Sequence, residues 1–170
     1  MNDSILQHSN TPVLHASASR WWAWWLRLFL AAMWLTQAIG KLNPSFGGIR
    51  GIVRVMALGN SAHPEGNPVG FFKRFLLDYV LPHWQLFGLL VTMGEMAVGL
   101  ALLFGVATRL AALGGIFLQL QYAFGRAYLE WSFVYPAIIL ALIVLVWTAP
   151  GRVLGVDAVL ARKWPKWPIW

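Results

Sequence analysis

The chain has 170 residues, of which 59% are hydrophobic and 11% are charged, and its formal net charge is +7. Soluble domains carry about 25% charged residues, so this composition excludes most soluble globular enzymes and predicts one polytopic membrane domain. The sequence contains no cysteine, which excludes disulfide frameworks, iron–sulfur clusters and zinc ribbons.

Four apolar stretches approach the length of about 20 residues that a helix needs to cross a bilayer. They cover residues 21–39, 84–105, 107–124 and 131–148. The sequence therefore predicts an all-α integral membrane protein, a four-transmembrane-helix bundle with both termini on one side. The Lys and Arg residues that flank the spans divide seven to six between the two sides, so charge alone does not fix the orientation.

Two tails flank the predicted membrane domain, residues 20–160. The polar N-terminal tail, residues 1–19, lacks the features of a signal peptide and is typical of a disordered segment or of one that a partner holds. The C-terminal tail, residues 161–170, repeats tryptophan at every third position between prolines, which is the period of a polyproline II helix. Its aromatic face predicts either an anchor in the lipid headgroups or a docking strip for another subunit.

The first span opens with four tryptophans in five residues, a pattern typical of an aromatic belt at a membrane surface. We expect Arg20 and Arg27 to snorkel to the headgroups. Trp34, near the middle of the span, either stacks on a flat ligand or packs in the core. Lys41 lies at the exit of this span and His83 at the entrance of the next. Either the two residues form a polar opening on the loop side of the bundle, or their side chains only snorkel to the headgroups and cap the helices.

The connection between the first two spans carries two amphipathic segments. Apolar residues recur at helical spacing in residues 49–56 and again in residues 71–79, while Arg50 and Arg54 share another face of the first segment. The pattern predicts two interfacial helices, which either roof a pocket in the bundle or anchor the chain on the membrane surface.

Glu95 is the one charged residue of the second span, and it lies about 15 Å from the end of that span, near the bilayer centre. A carboxylate there costs at least about 2.5 kcal/mol unless it is protonated or paired. Gln119 of the third span has nearly the same depth, and small residues flank both side chains at helical spacing. We therefore predict that Glu95 contacts Gln119, either as interhelical glue or with Glu95 as a proton-handling or head-group-binding carboxyl.

Other kinds of site find little support. All four histidines lie in tails, loops or span edges, which disfavours haem ligation within the membrane, and no metal site is predicted. No basic run is long enough to follow a phosphate backbone, so nucleic acid is not an expected partner. The excess of positive charge favours contact with anionic lipid of the bilayer.

The segment from Gly94 to Arg109 resembles the central signature of DoxX-like membrane proteins, and two further features of that family match residues 40–42 and 151–157. The segment from Pro68 to His83 is similar to the DoxD branch, the membrane subunit of thiosulfate:quinone oxidoreductase. The resemblance covers the predicted membrane domain. It implies a four-helix bundle with cytoplasmic termini in a prokaryotic inner membrane.

The resemblance also implies a function, in which the chain belongs to an assembly that oxidises thiosulfate and reduces quinone. Quinone is then the implied cofactor and other membrane subunits are the implied partners. The two tails lie outside the resemblance, and from their own sequence we expect them to contact those subunits. Glu95 would handle a proton, and Lys41, Arg50 or Arg54 would help to admit a sulfur substrate. The remaining candidates for substrate or head-group binding are Gln119, Trp34, His83 and Arg109. The alternative is a non-catalytic accessory or structural subunit of a larger membrane complex.

Overall fold

The computed structural model describes residues 21–42, 48–128, 133–164 and 166. These residues form seven α-helices, one π-helical segment and one 3-10 turn, without a strand among them, which confirms the predicted all-α fold. The predicted N-terminal tail, Arg20 and half of the C-terminal tail, residues 165 and 167–170, lie outside the described residues. The helices are α1 (Trp21–Leu42), α2 (Ile49–Leu58), α3 (Gly70–Phe75), α4 (Trp84–Phe104), α5 (Thr108–Gly125), α6 (Val134–Thr148) and α7 (Val156–Lys163).

The four long helices α1, α4, α5 and α6 form a closed bundle. Helix α1 packs on α4, α4 on α5, α5 on α6, and α6 returns to α1. Glycines bring the helices close together, since a Cβ atom at Gly99 would lie 2.8 Å from Leu35 Cγ of α1. The centre of the bundle is apolar and contains Trp34, Leu30, Val98, Leu102, Leu118, Leu142 and Leu145.

The outer surface of this bundle is also apolar. Large side chains such as Phe29, Leu90 and Phe117 are exposed, and Trp147 is 81% exposed. Among the described helices, α4 is long and apolar enough to cross a membrane, and α6 is apolar but has only 15 residues. Exposed apolar surface of this extent favours contact with lipid or with other subunits over contact with water.

Helices α2 and α3, with the π-helical segment Leu76–Val80, form a small second core over one end of the bundle. Their buried apolar faces pack on α4 and α5. We call these three segments the cap. Asn67 connects the cap to α5, because its side-chain amide donates to the carbonyl of Phe124 at 2.8 Å and to that of Met56 at 3.1 Å. The two predicted amphipathic helices are therefore docked on the protein through their apolar faces.

The opposite end of the bundle is closed by Arg27 and Asp157. The Arg27 guanidinium donates to the carbonyl of Leu154 at 2.8 Å and is only 1% exposed. The expectation that Arg27 snorkels to the headgroups is therefore wrong. Arg27 points into the bundle because the turn after α6 brings the carbonyls of Pro150 and Leu154 to it, and these replace water and headgroups as acceptors.

Candidate functional site

Glu95 lies near the middle of α4 and is completely buried, with 0% exposure. Small residues at helical spacing, Gly88, Thr92 and Gly99, share the buried face of α4 with it. Because these side chains are small, the neighbouring helices approach closely and exclude solvent from the carboxylate. A charge in such a place must be neutralised or paired.

Lys41 and Tyr122 supply the partners of the carboxylate. The Lys41 ammonium, in the last turn of α1, forms an ion pair with Glu95 Oε1. It also donates a hydrogen bond to the Tyr122 hydroxyl at 2.6 Å, and that hydroxyl donates to Glu95 Oε1 at 2.6 Å. Helices α1, α4 and α5 thus each contribute one side chain to a closed network, which we call the Lys41–Glu95–Tyr122 cluster.

The cluster keeps unused hydrogen-bonding capacity. An ammonium has three donors, and two of those of Lys41 are engaged by Glu95 and Tyr122. Glu95 Oε2 is buried and has no hydrogen-bond partner among the described residues. The Lys41 side chain is 12% exposed and Tyr122 is also partly exposed, so these two residues form the outer edge of the cluster. The arrangement can therefore accept a proton at the buried carboxylate and present a proton at its outer edge.

Trp34 packs in the bundle core beside α5. The indole Nε1 lies 3.4 Å from the position that a Cβ atom would take at Gly115, so this glycine makes room for the ring. The structure thus gives Trp34 the core-packing role that was one of its two predicted alternatives. Its buried N–H has no partner among the described residues, and stacking on a flat ligand stays a prediction.

The Glu95 carboxylate does not form the predicted contact with Gln119. Gln119 is buried on α5, at 4% exposure, but Glu95 Oε1 bonds to Lys41 and Tyr122, and Oε2 has no partner in the described ranges. The predicted Glu95–Gln119 hydrogen bond is therefore wrong. Tyr122 lies about one helical turn beyond Gln119, and its longer side chain brings the hydroxyl to the carboxylate.

The other four candidates are located elsewhere. Arg50 and Arg54 are exposed on α2, and His83 is exposed with its Nδ1 atom 3.0 Å from the carbonyl oxygen of Tyr79. Arg109 lies half-buried in the first turn of α5, about 20 Å along the helix from Tyr122. Of the residues named from the sequence, the structure brings together Lys41 and Glu95.

Tyr122 is the member of the cluster that the sequence did not predict. Ala111, Gly115 and Gln119 follow the i+4 spacing of one face of α5, and Tyr122 continues that face at i+3. Following the same face one turn further would have identified it. Gln119 matches the level of the Glu95 backbone, whereas a tyrosine hydroxyl reaches well beyond its own turn, so backbone depth alone favours Gln119 over Tyr122.

Comparisons with known proteins identify a family for this chain. No curated protein and no solved structure matches the chain. The family model described as the TQO small subunit DoxD matches residues 22–169, a range that includes the whole Lys41–Glu95–Tyr122 cluster and both ends of the bundle. The chain therefore belongs to the DoxD family of membrane proteins, a family described as the small subunit of a complex.

Proposed function

We propose that this chain is the membrane subunit of a quinone-linked oxidoreductase in which thiosulfate oxidation drives quinone reduction. Membership of the DoxD family supports the assignment to such a complex. The observation that carries the proposal within the chain is the buried Lys41–Glu95–Tyr122 cluster. Buried ionisable groups in membrane proteins usually mark substrate, ion or proton sites, because their burial is costly.

Reduction of quinone by thiosulfate consumes protons, which such a site would supply. Two thiosulfate anions lose one electron each and join through a new S–S bond as tetrathionate. A bound quinone would supply the electron acceptor, since two electrons and two protons convert it to quinol. The residues fit that group, because Lys41 keeps an unused N–H and carbonyl oxygens accept hydrogen bonds from such donors.

Each member of the cluster then has a distinct task. Lys41, at the outer edge of the cluster, donates a hydrogen bond to the quinone oxygen and passes a proton to it. Glu95 holds the ammonium in place and takes up the replacement proton at Oε2, the oxygen without a partner among the described residues. Tyr122 accepts from Lys41 and donates to Glu95, so its hydroxyl joins the two groups through which the proton moves.

We also propose that α1, α4, α5 and α6 all cross the membrane. They contain 22, 21, 18 and 15 residues, which correspond to lengths of about 22 to 33 Å at about 1.5 Å per residue. The hydrocarbon core of a bilayer is about 30 Å thick. Their exposed apolar side chains supply a surface suited to lipid, and four spans leave both termini on one side, which we assign to the cytoplasm of a prokaryotic cell.

Detection of quinone in the purified assembly tests the proposal. We expect quinone to co-purify with the wild-type protein, to be lost in Lys41→Met, and to be retained in a control Lys73→Met variant, since Lys73 lies on the cap outside the bundle. Thiosulfate should reduce added quinone only when the chain and its partner subunits are present. Co-purification with a large complex that contains no bound quinone and shows no turnover would instead identify a non-catalytic accessory subunit.

A further inference from the structure

A cleft of about 300 Å³ lies between α2 and the segment that follows α5, apart from the Lys41–Glu95–Tyr122 cluster. Ile52, Val55 and Met56 of α2 form an apolar wall. Asn60 and Arg126 add polar groups to the lining. A cleft with one apolar wall and a few polar groups suits an amphiphilic ligand.

Arg126 is half-buried at the lining of this cleft. Its backbone N–H donates to the carbonyl of Tyr122 at 2.9 Å, which fixes its position at the end of α5. Within the described part of the chain, its guanidinium makes no side-chain hydrogen bond and no ion pair. A partly desolvated guanidinium favours an anion that can accept several of its N–H groups, and a phosphate does so in bidentate geometry.

The other polar groups of the cleft also favour an acceptor-rich ligand. Asn60 Oδ1 already accepts from the backbone N–H groups of Ala62 at 3.0 Å and His63 at 2.9 Å, which leaves the side-chain NH2 to donate. The Tyr128 hydroxyl donates to the carbonyl of Val55. The donors that remain for a ligand are therefore those of Arg126 and Asn60, and both suit an anionic oxygen.

The surroundings of the cleft indicate a lipid as the source of that anion. Arg50 and Arg54 are exposed on α2, and two apolar residues of the same helix, Val55 and Leu58, are about 40% exposed. Exposed arginines and apolar side chains on one helix are typical of a helix that contacts anionic membrane surfaces. We propose that the cleft binds the phosphate headgroup of an anionic phospholipid, with Arg126 and Asn60 on the phosphate and Ile52 and Val55 against the start of the acyl chain.

Native mass spectrometry of the detergent-solubilised full chain, titrated with phosphatidylglycerol, phosphatidylcholine or inorganic phosphate, tests this site. We expect one phosphatidylglycerol to bind at least about tenfold more tightly than phosphatidylcholine. We expect Arg126→Gln to weaken the binding of phosphatidylglycerol about tenfold. The matched control Arg74→Gln, an exposed arginine of α3 outside the lining, should change the affinity by less than about twofold.

A second variant tests the same site without a change in charge. Gly51 also lines the cleft, and a Cβ atom there would meet no atom within 4 Å. Gly51→Leu therefore adds bulk to the lining without a clash at Cβ and should also weaken binding at least about tenfold. Gly70→Leu, at another open glycine outside the cleft, is the control. Unchanged phosphatidylglycerol affinity in both Arg126→Gln and Gly51→Leu would overturn the proposal. Binding of inorganic phosphate without retention of phosphatidylglycerol would overturn the assignment to a lipid.

Discussion

Asp157 caps the helix that begins at Thr108, because its Oδ2 atom accepts the backbone N–H of Thr108 at 2.9 Å. The other carboxylate oxygen accepts the N–H of Ala107 at 2.6 Å. Both groups would otherwise be unpaired at the start of α5. The carboxylate also lies in the electrostatic field of the buried Arg27 guanidinium. One aspartate thus joins α7 to the bundle at the end opposite the cap.

Asp157→Ala should lower the free energy of unfolding by about 3 kcal/mol, because it leaves two backbone N–H groups unpaired and removes the counter-charge of Arg27. Thermal melting of the protein in detergent micelles measures the change. Asp78→Ala removes an exposed carboxylate from the cap and should shift stability by less than about 0.5 kcal/mol. Equal melting temperatures for the two variants would contradict the capping role.

Gly105→Ala should destabilise the same end of the bundle by about 1–3 kcal/mol. Gly105 has a φ of +65°, and an added Cβ would lie 2.9 Å from the Gly155 Cα atom and collide with the Arg27 guanidinium. Gly40→Ala is the matched control, since a Cβ atom there meets nothing within 4 Å and alanine favours the helix. Chemical unfolding in mixed micelles compares the two, and a Gly105→Ala protein as stable as Gly40→Ala would refute the steric account.

Lys41 and Glu95 should be energetically coupled. Removal of one partner leaves an uncompensated buried charge, so Lys41→Met should cost about 3–5 kcal/mol, whereas the double variant Lys41→Met/Glu95→Gln should recover much of that loss. A double-mutant cycle based on unfolding free energies measures the coupling, which we expect to be at least about 2 kcal/mol. Additive effects of the two substitutions would show that the ion pair does not contribute to the stability of the bundle.

Tyr122→Phe should leave the ion pair in place and remove the hydroxyl that joins Lys41 to Glu95. We expect a loss of about 1 kcal/mol in unfolding free energy and a fall of about tenfold in quinone reduction. Tyr79→Phe, at an exposed tyrosine of the cap, is the control and should change neither quantity. A Tyr122→Phe protein with the turnover of Tyr79→Phe would exclude a role for the phenol in proton transfer.

The sequence predicted the helices well because their signals are local. Apolar stretches near membrane-spanning length mark α1, α4, α5 and α6, and a turn near Val106 separates the second stretch from the third. The helical spacing of small residues on α4 likewise predicted that Glu95 lies at a contact between helices. These features depend on residues within a few turns of each other, so a single sequence contains the information that they need.

The partners of buried polar groups were harder to predict because they come from distant parts of the chain. Arg27 bonds to carbonyls more than 120 positions away, and backbone carbonyls leave no trace in side-chain patterns. Lys41 lies in the last turn of α1, yet its long side chain reaches Glu95 near the middle of α4. Comparison of backbone depth also favoured Gln119 over Tyr122, because it neglects how far each side chain extends.

The most direct test of the central claim is the rate of thiosulfate-dependent quinol formation by the purified assembly that contains Glu95→Gln. Glutamine preserves the shape of the side chain but cannot take up the proton, so we expect the rate to fall at least about 100-fold while the complex still assembles. Asp78→Asn, an exposed carboxylate outside the bundle, should retain the wild-type rate. An assembled Glu95→Gln complex with wild-type turnover would contradict the proposed role of the Lys41–Glu95–Tyr122 cluster.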